Sequence, residues 1–133
     1  MKGFSLSKYV LAGSGKDHEK SLRRLARDAN NDIRRRIAEN PACPNDVLEQ
    51  LASDGCTEVR IAVALNAKLD RQACCRLCQD PDPDVRFMIA ATSYIPDVLL
   101  RLLASDENPY VQARANRTIE LKVNAQSNAV LNA

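Results

Sequence analysis

The chain has no tryptophan, and aromatic residues make up only 4% of its 133 residues against 45% hydrophobic residues overall. A core built on large rings is thereby excluded. The interior has to come from Leu, Ile, Val and Ala, which suits closely packed helices. Histidine is almost as scarce: His18 stands alone in the polar stretch Asp17-His18-Glu19 and reads as a solvated loop residue. There is no Gly-rich phosphate loop, no G-x-S-x-G elbow and no H-E-x-x-H metal helix. An enzyme is disfavoured on these grounds, and no cofactor is expected.

Excess charge of one sign is also missing. With 19 basic and 17 acidic residues the formal net charge is +2, too even a balance to attract nucleic acid or a membrane by bulk electrostatics. No run approaches the ~18 apolar residues that a membrane-spanning helix needs. Ser5, Ser7 and Lys8 interrupt the early apolar stretch that a secretory signal would require. These absences predict a soluble, cytoplasmic protein. In that compartment the five cysteines, an odd number, are expected to stay reduced.

What the chain does have is a period. Leu25, Leu51, Leu77 and Leu103 are spaced 26 residues apart, as are Asp28, Asp54, Asp80 and Asp106, and Ile33, Val59, Val85 and Val111. Arg34, Arg60 and Arg86 follow the same step and give way to Gln112. Within a unit the apolar spacing is helical. Leu22, Leu25 and Ala26, like Leu48, Leu51 and Ala52, lie at i, i+3 and i+4 and form the stripe of a first helix. Turn residues follow, most explicitly Asp80-Pro81-Asp82-Pro83-Asp84. A second helix then buries Val59 and Val63 or their equivalents. Asn40-Pro41 ends one second helix, and Pro44 and Pro96 open the path to the next first helix. So small a unit cannot cover both sides of its own helix pair, which predicts stacking of neighbours.

Two runs resemble a known family: Leu51-Ala52-Ser53-Asp54 leading to Val59-Arg60, and Arg34 through Ile37-Ala38-Glu39-Asn40-Pro41 to Pro44, Leu48, Leu51 and Ala52. They look like the bacterial leucine-rich repeat variant, a relative of HEAT-type helical repeats, over about residues 20–118. The resemblance implies an all-α fold, a right-handed α–α solenoid of about four helix-pair repeats, with the 26-residue step leaning toward HEAT-like pairs. HEAT-type units are also similar in an Asp–Arg ladder, here Asp28–Arg34, Asp54–Arg60 and Asp80–Arg86. The guanidinium can bond its own Asp or the neighbouring unit's carboxylate, so these arginines read as structural and the ladder should stop at Gln112. Some members carry a cysteine-bound iron–sulfur cluster ahead of the repeats. No cysteine precedes Cys43 here, and that property is not carried over.

The period also sorts the cysteines. Cys74, Cys75 and Cys78 include a C-x-x-C spacing, but Cys74 shares its column with Leu22, Leu48 and Leu100, and Cys78 with Ala26, Ala52 and Ala104. Both therefore read as small core hydrophobes. Cys43 falls with Leu69 and Ile95, Cys56 in a turn column with Asn30, Asp82 and Asn108, and Cys75 in an exposed one with Arg23, Glu49 and Arg101. A structural zinc site wants four convergent ligands. One spaced pair without a histidine nearby falls short of that, so a metal or redox site is the weaker alternative.

The second-helix columns point to a partner. After each ladder position come Arg35, Ile61, Phe87 and Ala113, then Arg36, Ala62, Met88 and Arg114; one turn later come Glu39, Leu65, Ala91 and Arg117. Ile61, Leu65, Phe87 and Met88 thus form an apolar centre, rimmed by charge that includes Arg35, Arg36 and Arg114. Such a surface fits a helix or extended peptide from a partner protein. The competing reading buries some of these side chains between second helices. A further alternative takes Arg23, Arg24, Arg27, Arg34, Arg35 and Arg36 as a basic end that binds nucleic acid, which the near-equal acidic count disfavours.

Residues 1–19 fit the register only in part, with Leu11 and Ala12 matching Ile37 and Ala38, so Ser7–Ala12 reads as a partial second helix capping the stack. Residues 20–118 form the repeat domain. In 119–133 Ile119, Leu121 and Val123 are expected to cap it, and residues 124–133 to fray. A stack this short with weak caps can pair end to end as a homodimer.

Overall fold

The computed structural model describes residues 16–132, and side chains from His18 onward. The expected cap at Ser7–Ala12 lies outside the described residues. Among them there are eight helices and no strand: α1 (Lys16–Leu25), α2 (Asn31–Glu39), α3 (Asn45–Leu51), α4 (Thr57–Ala64), α5 (Arg71–Cys78), α6 (Pro83–Ala90), α7 (Asp97–Leu103) and α8 (Pro109–Leu131). The fold is all-α. The even-numbered helices start 26 residues apart, and so do α3, α5 and α7.

Local chemistry explains these starts. Asn30, Asp82 and Asn108 each precede an even-numbered helix in extended backbone and accept a hydrogen bond from an N–H of its first turn, at 2.8 Å from Asp32, 2.8 Å from Asp84 and 2.9 Å from Tyr110. That satisfies a donor the helix itself cannot use. Pro83 and Pro109 add a first residue whose backbone is already helical. Cys56 occupies the same position before α4 and makes no such bond.

The chain divides into two compact units, one ending at Lys68 and one beginning at Leu69. In the first, α2 packs chiefly on α4, around Leu22, Ile37, Leu48, Leu51, Val59 and Val63, all fully buried. In the second, α6 packs on α8, α7 on α8 and α5 on α7, burying Leu77, Val85, Ile89, Ile95, Leu100, Leu103 and Val111. The apolar columns read from the sequence are thus the core. Ile33 is only half-buried where Val59, Val85 and Val111 are covered.

Each unit carries the same polar tie. In the first, Arg34 donates from Nε to Asp54 Oδ2 at 2.8 Å and from Nη2 to Asp54 Oδ1 at 3.1 Å, while Nη1 reaches the backbone carbonyl of Asp28 at 2.7 Å. The guanidinium therefore takes both options open to it: its own turn through a carbonyl, and the next turn through a carboxylate. Asp54 Oδ1 also accepts the Cys56 N–H at 2.9 Å, an Asx turn repeated by Asp28 with Asn30, Asp80 with Asp82 and Asp106 with Asn108. Gln112 keeps part of the arrangement, since its Nε2 donates to the Asp106 carbonyl at 3.2 Å.

A second tie lies deeper. Asn66 Nδ2 donates to the Ala38 carbonyl at 2.8 Å and to the Asn40 carbonyl at 3.1 Å. In the other unit Thr118 Oγ1 donates to the Ala90 carbonyl at 2.6 Å. Both side chains are buried. Each satisfies the orphan carbonyls at the end of a helix in the preceding pair.

Where the sequence suggests fraying after Val123, α8 continues unbroken to Leu131. No Pro or Gly interrupts residues 110–131. His18, read as a loop residue, sits instead in the first turns of α1; it is half-buried, and its Nδ1 is shielded from solvent without a hydrogen-bond partner.

Candidate partner-binding surface

The expected surface residues fall on both units. In the first, Ile61 on α4 is half-buried and Ala62 beside it is buried, so packing between second helices takes part of this face. Leu65, at the end of α4, is 51% exposed. On the adjacent α2, Arg35 is half-buried and donates to Glu39 Oε1 at 2.8 Å, with Asp32 at 3.9 Å. Arg36 is exposed.

In the second unit Phe87 and Met88 on α6 are both half-buried. Arg114, on the α8 face against which α6 packs, is half-buried, and its Nε is shielded from solvent with no hydrogen-bond partner. A shielded donor without an acceptor is costly to leave so. Each unit therefore sets partly covered apolar side chains beside arginines.

The basic residues of the first unit are largely engaged within it. Arg23 is ion-paired with Asp46, Arg34 with Asp54 and Arg35 with Glu39; Arg27 and Arg36 remain exposed. A phosphate backbone would have to compete with those carboxylates.

The cysteines lie where the register puts them. Cys43, Cys74 and Cys78 are buried, Cys56 is half-buried and Cys75 is exposed. Burial pushes the Cys43 thiol up to about 12, Cys74 to about 11 and Cys78 to about 12, so all three are protonated, and thiols in that state are poor nucleophiles and poor ligands. Cys43 Sγ donates to the Pro44 carbonyl, and Cys56 Sγ to Glu58 Oε2 at 3.1 Å. Among the described residues no three His, Cys, Asp or Glu side chains converge as a metal site would require, and no helix is long and apolar enough to cross a membrane.

The Asn66 and Thr118 ties changed residue type from unit to unit and so did not stand out, although all members of the column Asn40, Asn66, Thr92 and Thr118 can donate. Val98 and Leu102 of α7 and Val130 and Leu131 of α8 are exposed apolar residues outside the columns that define the second-helix surface. Compared with known proteins, the chain matches no family model, no curated protein and no solved structure.

Proposed function

We propose that this chain is a non-catalytic interaction scaffold of the cytoplasm, a right-handed α–α solenoid of about four 26-residue helix pairs similar to the leucine-rich repeat variant and HEAT-type repeats. In this reading it receives a helix or extended peptide on the face of its second helices. The solenoid reading is supported by the common step of the helix starts and by the same Arg–Asp tie in both units, Arg34 to Asp54 and Arg86 to Asp106.

The observation that carries the binding reading is the incomplete burial of apolar side chains in columns where the outer units carry mainly charge. Leu65 is 51% exposed, and Ile61, Phe87 and Met88 are each only half-covered. A partner with an apolar centre and acidic flanks would cover Ile61, Leu65, Phe87 and Met88 and offer carboxylates to Arg35, Arg36 and Arg114.

The test selects helical and extended peptides from a displayed library on the wild-type chain and measures them on the double variant Ile61→Ser, Phe87→Ser. Peptide affinity should fall at least tenfold with the unfolding midpoint unchanged. A large loss of stability instead would mean that these side chains serve packing. Retention on duplex DNA at about 150 mM salt, falling steeply as salt is added, would favour the nucleic-acid alternative.

A further inference from the structure

The apolar surface that the second-helix face leaves unexplained lies elsewhere, on α7 and on the far half of α8. Val98 and Leu102, one turn apart on α7, are 58% and 56% exposed. Their columns are polar in every other unit: Lys20, Asp46 and Gln72 stand where Val98 does, and Arg24, Gln50 and Arg76 where Leu102 does. Burial within the unit cannot account for the change, because the residues in those columns that the other units carry are exposed too.

Beside them, α8 buries only Val111, Ala115 and Thr118. Lys122 fixes it against α7, donating from Nζ to the Ile95 carbonyl and to Asp97 Oδ1, both at 2.8 Å. Ile119 and Val123 line a groove of about 90 Å³ with Leu100 and Arg101 of α7. Past Lys122 the helix continues for roughly 14 Å at 1.5 Å per residue. That stretch has no buried side chain, and Val130 and Leu131 are 76% and 81% exposed. A nine-residue segment with two Asn, a Gln and a Ser is a poor helix by itself and gains most of its stability from packing.

We propose that two copies of this chain pair through this region, the segment Val123–Leu131 of each lying across Val98 and Leu102 of the other. Both halves of the contact belong to one chain, so a twofold axis covers both apolar features at once, which is the self-complementarity a symmetric dimer requires. Within one chain α8 is a single unbroken helix to Leu131, so its last turns do not fold back over the outer face of α7. From Val123 to Leu131 there is no charged residue. The segment therefore brings no ion of its own into the contact to be desolvated, and a charged partner would find no counter-charge on this stretch. The contact is small beside the ~800 Å² per partner of a standard interface, so the pair is a weak, concentration-dependent one.

Sedimentation equilibrium of the full chain, from about 5 µM to about 500 µM, tests the pairing against the affinities expected of weak dimers. A monomer–dimer equilibrium is expected. Val98→Gln with Leu102→Arg, which installs the residues found at Gln72 and Arg76, and Val130→Ser with Leu131→Ser should each weaken it at least tenfold. Both pairs are exposed, so the unfolding midpoint of dilute protein should not move. A chain that is monomeric at the highest concentration, or a dimer that resists either pair of substitutions, overturns the proposal. Ile61→Ser with Phe87→Ser should leave the dimer intact, so peptide binding and pairing succeed or fail separately.

Discussion

Arg86 holds Asp106 across twenty residues of sequence, with Nε on Oδ2 at 2.9 Å and Nη2 on Oδ1 at 3.2 Å, while its Nη1 donates to the Asp80 carbonyl at 2.7 Å. The two side chains are 10% and 9% exposed. A fork of this kind is worth more than a surface ion pair because both partners are largely out of water and all three guanidinium nitrogens donate.

Arg86→Ala is therefore expected to lower stability by about 3 kcal/mol, since it leaves Asp106 shielded and without its cation. Arg86→Gln should recover part of the loss, because an amide at the equivalent position, Gln112, still donates to the carbonyl of its own turn. Urea unfolding midpoints of the three proteins give the order wild type, Gln, Ala. Equal loss in both variants would mean that the carbonyl bond contributes nothing.

Acid should act on the same tie. Burial alone would raise the carboxyls of Asp54 and Asp106, but the arginine hydrogen bond, the backbone N–H of the Asx turn and the arginine charge together outweigh it, and both lie below the ordinary carboxylate range. A pKa lower in the folded than in the unfolded chain means that the stabilisation is complete above the unfolded value of about 4 and is lost as pH falls through the folded one. The melting temperature should accordingly drop steeply below about pH 4. Asp106→Asn, already less stable at neutral pH, should show a shallower acid slope.

How much of this could be read from the sequence depends on whether a column keeps its residue type. Leu25, Leu51, Leu77 and Leu103 keep theirs and are all core; Arg34 and Arg86 keep theirs and make identical bonds. The column of Asn66 and Thr118 preserves a donor while changing the residue, so a search by identity passes over a tie as consistent as the ladder. The extension of α8, where small polar residues suggest fraying, goes with the absence of any Pro or Gly stop after Pro109. Small polar residues alone do not end a helix. The surface columns are hardest, because exposure of Leu65 beside burial of Ala62 depends on how closely α2 meets α4, which spacing does not specify.

The position before α4 offers a gain of stability. Cys56 has the same extended backbone as the three caps, φ −92° and ψ 122° against −86° and 122° at Asn108, yet no side-chain bond to the helix. Cys56→Asn should add about 1 kcal/mol by accepting a first-turn N–H, as Asn30 and Asn108 do. A rise of a few degrees in melting temperature is the expected readout. No rise would mean that the Cys56–Glu58 contact already compensates.

Thiol chemistry separates the five cysteines and supplies an alkaline counterpart to the acid effect. A disulfide-exchange reagent near neutral pH should modify exposed Cys75 first and half-buried Cys56 next. Cys43, Cys74 and Cys78 should react only as the protein opens, since burial holds each as a protonated thiol. Their folded values, about 12, about 11 and about 12, lie above the ordinary thiol value of about 8.5. The sign is then opposite to that of the aspartates: the stabilisation is complete below about pH 8.5 and is lost as pH rises toward the folded values. Cys78→Ala, which fits the Ala26, Ala52 and Ala104 column, removes one of the three thiols and should flatten the decline between about pH 9 and pH 11. Peptide mapping after timed labelling checks the order of reaction. Rapid modification of Cys78 in the folded chain would show that α5 and α6 part far more readily than a packed core allows.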